Sequence, residues 1–127
     1  MFLKRFVASQ SFLWIAMAAL LVACPRQFLG FFGVTLDAGS LVLCRLFAAE
    51  LTALALVSFF ETSKNWPTVP RMAWLAYTLS NTIGFLSSLA AVQAGTFNQR
   101  GWLIVAAYLL YAAVFLAVLI RNPGETS

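Results

Sequence analysis

The sequence predicts an all-α fold, an integral membrane four-helix bundle. Three observations carry this. Hydrophobic residues make up 62% of the chain and charged residues 9%, against about 45–50% and about 25% in a soluble domain. The apolar residues gather into four runs, 6–23, 38–60, 71–93 and 101–120. Each run approaches the ~20 residues that cross a ~30 Å hydrocarbon core as a helix. The runs take up about two thirds of the 127 residues, so the expectation is a single four-span transmembrane domain, 1–127, with no soluble domain.

The first run follows Lys4 and Arg5, as the apolar stretch of a secretory signal would. Its 18 residues exceed the 7–15 of such a stretch, and Phe and Trp side chains are spread through it. It is expected to act as the first span, ended by Pro25. Ser9, Gln10 and Ser11 lie in its first half, and Trp14 lies near mid-depth.

The loop that follows, Cys24 to Asp37, is apolar and aromatic, with Phe28, Leu29, Phe31, Phe32, Val34 and Leu36 punctuated by Gly30 and Gly33. A loop this hydrophobic predicts a short helical or re-entrant segment at the outer membrane interface. Asp37 ahead of Ala38-Gly39-Ser40 predicts an N-cap for the second span.

That second span carries Arg45 and Glu50. Charges at such depths cost about 2.5–3.5 kcal/mol each on insertion scales. Five residues apart, the two side chains diverge by about 140° around a helix, so they do not pair along their own span. Arg45 can reach toward the headgroups along its apolar stem; Glu50 needs a partner from another helix or a raised pKa.

The second loop, with Trp66, Pro67 and Pro70, reads as ordinary interfacial turn chemistry. The third span is the most polar: Tyr77, Ser80, Asn81, Gly84 and Ser88 recur at three- and four-residue steps. Ser80, Gly84 and Ser88 form a small-xxx-small ladder that lets a neighbouring helix approach. Asn98 and Gly101 predict a tight turn into the fourth span, with Trp102 at the interface and Tyr108 and Tyr111 near mid-depth. The closing Gly-Glu-Thr-Ser is expected to be a disordered tail.

Counting residue rise from the span ends places Glu50, Asn81 and Tyr111 in one layer and Arg45, Ser88 and Tyr108 in the next. These six are the candidate polar core or ligand site. Three readings stay open for them: a network that fixes helix order, a pocket for a ligand or lipid headgroup, and a coupled transport site.

Net charge is +4, but the basic residues are dispersed at span ends, so no nucleic-acid partner is expected. Lys4, Arg5, Lys64, Arg71 and Arg121 fall on one side of the membrane and Arg26 and Arg100 on the other. The positive-inside rule then places both termini in the cytoplasm. Two cysteines, Cys24 and Cys44, are too few for a disulfide framework and sit at different depths. The chain has no histidine, which removes the commonest metal ligand and the Ser-His and Cys-His nucleophile systems. No catalytic residue and no metal site is expected.

Four stretches also carry a resemblance: Pro25 followed by Phe31–Gly33, Arg45–Glu50 (RLFAAE), Ser80–Phe85 (SNTIGF), and Asn98–Trp102 (NQRGW) leading to Tyr108. Together they resemble a group of small bacterial four-span membrane proteins without an assigned activity, distantly similar to DoxX-like proteins. The resemblance implies a compact four-helix bundle in a bacterial inner membrane and supplies no catalytic residue. Some DoxX-like proteins are associated with quinone or thiol redox chemistry; this chain has no C-x-x-C.

The leading functional expectation is a non-enzymatic inner-membrane protein, an accessory or complex-stabilising subunit, whose partners are the lipid bilayer and a membrane protein or further copies of itself. Two alternatives accompany it. One is a dimeric proton-coupled transporter of small molecules; four spans and one membrane glutamate resemble small multidrug-resistance exporters, but their glutamate lies on the first span, where this chain has only Gln10. The other is a lipid- or quinone-binding protein, with the aromatic loop over a polar core. No cofactor is expected beyond such a bound lipid or quinone.

Overall fold

A computed structural model of the protein describes residues 2–64 and 71–121, with side chains over 4–60 and 71–121. The described residues form five helices and no strand: α1 (Phe2–Ala23), α2 (Pro25–Phe31), α3 (Ala38–Lys64), α4 (Arg71–Gln93) and α5 (Gly101–Arg121). Four of them hold segments long and apolar enough to cross a membrane: Lys4–Ala23, Ala38–Phe60, Arg71–Gln93 and Gly101–Arg121. The all-α, multi-span expectation holds, with span limits close to those read from the sequence. Trp66, Pro67, Pro70 and the closing Gly-Glu-Thr-Ser lie outside the described residues.

The helices fall into two compact units, α1–α3 and α4–α5. In the first, α1 and α3 pack as an antiparallel pair. Trp14, Ala18 and Leu21 of α1 form one cluster with Ala48, Leu51 and Ala55 of α3. Midway along α1 and toward the far end of α3, the rings of Phe12 and Phe59 meet edge to face at 6.2 Å. Lipid tails are as apolar as these side chains, so the pair gains from dispersion packing rather than from leaving water. Small residues serve this end: Ala18, Ala48 and Ala55 let the backbones approach, and Trp14, Leu21 and Leu51 fill the space between. The buried stripe of α1 continues through Val7, Gln10 and Ser11.

The aromatic loop does form a short helix. Pro25 opens α2, where its missing N–H is no loss. Phe28 and Leu29 turn back onto the α1–α3 cluster together with Met17 and Cys44. Phe32 is buried and meets Phe28 at 5.5 Å and Phe31 at 5.1 Å, both edge to face. The chain leaves α2 through a Schellman turn: Gly33 N–H donates to Gly30 O and Val34 N–H to Leu29 O, each at 3.0 Å. Gly33 takes φ of +87°, a left-handed conformation that glycine adopts without a Cβ clash. Both cysteines are free thiols.

Asp37 caps α3 as expected. Its Oδ1 accepts from Ser40 N–H at 2.7 Å and from Ser40 Oγ–H at 2.6 Å. The side-chain hydrogen bond from Ser40, reinforced by the backbone one, holds the Asp37 carboxyl below the ordinary aspartate value.

In the second unit α4 and α5 form a hairpin. A second Schellman turn ends α4: Gly95 N–H donates to Val92 O at 3.1 Å and Thr96 N–H to Ala91 O at 2.9 Å, with Gly95 at φ +73°. Asn98 Oδ1 then accepts from Arg100 N–H at 2.9 Å, and Asn98 O accepts from Gly101 N–H at 2.9 Å to start α5. Gly101 is buried at this corner, where a Cβ would stand 2.8 Å from Val92 Cγ2 and 2.6 Å from Phe97 Cβ.

Candidate functional site

The six candidate residues fall into two groups, one on each unit. Arg45 and Glu50 stand on α3; Asn81 and Ser88 stand on α4, Tyr108 and Tyr111 on α5.

On α3 the face toward α1 is defined by Cys44, Ala48, Leu51 and Ala55. At about 100° per residue, Arg45 lies roughly 90° to one side of the centre of that face and Glu50 roughly 130° to the other. Both side chains are exposed on the α1–α3 unit. The physical reason is local. A packing face built from Cys44, Ala48, Leu51 and Ala55, at steps of four, three and four, leaves Glu50 on the opposite half of the helix and Arg45 at its edge. That half is otherwise apolar, with Val42, Leu46 and Phe60 exposed. Two charges within an apolar span, outside their own hairpin's core, are the feature of this unit that packing does not explain.

In the second unit an aromatic ladder, joined by Tyr111, helps set the level of the four candidates. Phe115 is fully buried. Its ring meets Tyr77 at 5.4 Å and Trp74 at 6.0 Å across the hairpin, and Tyr111 at 6.2 Å on its own helix, nearly parallel. One step along, the Tyr108 ring lies in the space that a side chain at Gly84 would fill. At the far end Val92 meets Gly101. These three contacts fix the antiparallel register, and on it Asn81 and Tyr111 share a level. Both are buried, Asn81 completely. The sequence placed these two in one layer, and within this unit the register agrees. Tyr108 departs from its expected partner: it stands level with Gly84, and Ser88 lies about one turn further along.

The small-residue ladder also works differently from its expected use. Ser80 is exposed, Gly84 is half-buried and Ser88 is buried, so the three do not form one seam. Gly84 receives an aromatic ring instead of a neighbouring backbone.

Much of the polarity of α4 is turned onto its own backbone. Asn81 Nδ2–H donates to Tyr77 O at 2.7 Å, Thr78 Oγ1–H to Trp74 O at 2.8 Å, Thr82 Oγ1–H to Thr78 O at 2.8 Å and Ser88 Oγ–H to Phe85 O at 3.1 Å. Such back-bonding satisfies polar groups inside an apolar environment without a partner helix.

Residues outside the six candidates share the burial. Gln10 and Ser11 of α1 are as buried as Asn81, and Ser58 of α3 is nearly so. By the Phe12–Phe59 contact, these three lie toward the same end of the α1–α3 pair. The available signal was spacing: Gln10 stands three residues after Val7 and four before Trp14, on the stripe that packs.

Comparison with protein family models, with curated proteins and with solved structures found no match.

Proposed function

We propose that this chain is a non-enzymatic multi-pass protein of a bacterial inner membrane that acts by assembling with a membrane partner. The exposed half of α3 carries this reading. Arg45 and Glu50 sit within a span, outside the core of their hairpin. A charged group left in hydrocarbon is expensive, and an intermembrane-helix ion pair removes much of that penalty. A protein whose span presents one charge of each sign on an otherwise apolar face is suited to a partner that presents the complement.

The basic residues at the span ends support an orientation with both termini in the cytoplasm. The resemblance to small bacterial four-span membrane proteins, distantly similar to DoxX-like proteins, is consistent with an inner-membrane setting.

Purification from membranes in a mild detergent, followed by native mass spectrometry, tests the reading. The expected result is a complex heavier than one chain, weakened by Glu50→Gln and by Arg45→Gln. A wild-type chain recovered alone, or a complex that both substitutions leave unchanged, overturns it.

A further inference from the structure

We infer that the partner is a second copy of this chain, joined through α3 in a parallel pair by two equivalent ion pairs, Arg45 to Glu50 of the other copy. This rests on the assembly reading above and names its partner.

The argument starts from the exposed half of α3. Gly39, Val42, Leu46, Ala49, Ala53, Leu56 and Phe60 follow one another at steps of three and four residues, and all are exposed. That is the a and d spacing of a heptad, maintained over about three repeats, the pattern that packs two helices along a common seam. Cys44, Ala48, Leu51 and Ala55, which face α1, occupy positions on the opposite side of the same heptad. One helix therefore carries two seams, one filled by α1 and a second on its other side that α1 and α2 leave uncovered. Ala49 and Ala53 are small and central, which lets two such helices approach closely.

The charges select the partner. With Leu46, Ala49 and Ala53 in the seam, Arg45 falls at position g and Glu50 at position e. In a parallel pair of identical helices, position g of one helix faces position e of the next heptad on the other, five residues further along, and these positions carry the interhelical salt bridges. Arg45 and Glu50 are separated by five residues. The spacing that prevents them from pairing on their own helix brings each against its opposite on a second copy. The axial offset is about 7.5 Å, within the combined reach of the two extended side chains. A twofold axis along the membrane normal makes the two pairs equivalent, so all four charges are matched. Copies that insert under the same positive-inside bias run parallel, as this pairing requires.

The test uses the full chain in membranes with Cys24→Ser and Cys44→Ser as background. Single substitutions Ala49→Cys and Ala53→Cys, at the seam, are expected to crosslink into a homodimer on mild oxidation. Ala48→Cys, on the α1 face, is expected not to. Equal crosslinking at positions 48 and 49, or none at 49 and 53, overturns the proposal.

A charge-reversal experiment excludes simple misfolding. Arg45→Glu alone sets acid against acid across both pairs, and Glu50→Arg alone sets base against base. Each variant is expected to lose homodimer several-fold. Co-expressed with distinguishable tags, the two variants are expected to form a heterodimer with both pairs matched. Heterodimer no more abundant than either homodimer overturns the proposal. Wild-type chain recovered with a different membrane protein and without a second copy overturns the choice of partner and leaves the assembly reading standing. A lone wild-type monomer overturns both.

Discussion

Gly84 of α4 and Tyr108 of α5 share one space: a Cβ on Gly84 would fall 2.8 Å from Tyr108 Cζ and closer still to Cε1 and Cδ1. Two effects compete when alanine is placed there. Helix propensity favours Gly84→Ala by about 0.8–1 kcal/mol. Overpacking opposes it by about 1–3 kcal/mol, because the whole ring must move. Overpacking should win, and Gly84→Ala should lower the thermal midpoint in detergent. In a Tyr108→Ala background the clash is gone, so the same substitution should become stabilising. A Gly84→Ala effect of the same sign in both backgrounds would disprove the contact.

The glycines that close the helices make a different prediction. Gly95 adopts φ of +73°, and an L side chain in that region costs about 1–2 kcal/mol. Gly95→Ala should therefore be destabilising although nothing lies near its missing Cβ. Gly30 provides the contrast. It sits within α2 at ordinary helical φ with open space beside it, so Gly30→Ala should be neutral or stabilising. Unfolding of both variants in detergent checks the pair; equal effects at the two positions would refute the assignment of strain to backbone conformation.

Asp37 gives a pH dependence. Its carboxyl is held below the ordinary value by hydrogen bonds from Ser40. A carboxyl depressed on folding adds stability that is complete above the unfolded value, about 3.9. That contribution is lost as pH falls through the lower folded value. Amide exchange over Ala38 to Leu41 should therefore accelerate on acidification below about pH 4, relative to the rest of α3. Asp37→Asn keeps an acceptor at the cap and should abolish that pH dependence. Asp37→Ala should loosen the turn at every pH. If exchange at Ser40 in wild type and Asp37→Asn responds identically to acid, the cap is not the titrating group.

These cases show what the sequence could and could not convey. Spans, caps and turn glycines are local: the length of an apolar run, an Asp three residues before a Ser, and a Gly at a helix end each have one physical reading. The direction that a span faces is different. In water the apolar side of a helix is the buried side. In lipid both sides are apolar, so Leu46 and Leu51 look equivalent although one is exposed and the other buried. Polarity misleads in the same way. Gln10 and Asn81 are buried, Arg45 and Glu50 are exposed, and hydrophobicity alone cannot sort them. Depth, counted from the span ends, correctly put Asn81 level with Tyr111 within the second unit. Rotation about the helix axis was not available to the count, because the small residues that decide it, Ala18, Ala48 and Ala55, are also common where nothing packs.

The shared level of Asn81 and Tyr111 gives the last prediction. Asn81 is completely buried, and its amide donates to Tyr77 O at 2.7 Å. Tyr111 is buried against Phe115. If the two side chains belong to one packed layer of the α4–α5 hairpin, removing either disturbs what the other contacts. Asn81→Ala and Tyr111→Phe should each destabilise the protein. Their combined effect should depart from the sum of the singles by about 0.5–3 kcal/mol, the range for coupled neighbours. Ser80, next to Asn81 but exposed, provides the control. Ser80→Ala should fall within about ±0.5 kcal/mol and should add to Tyr111→Phe without coupling. Stability to denaturant in mixed micelles measures all of these variants in one series. Additivity of Asn81→Ala and Tyr111→Phe within about 0.3–0.5 kcal/mol would mean that the two residues share a depth but not a contact.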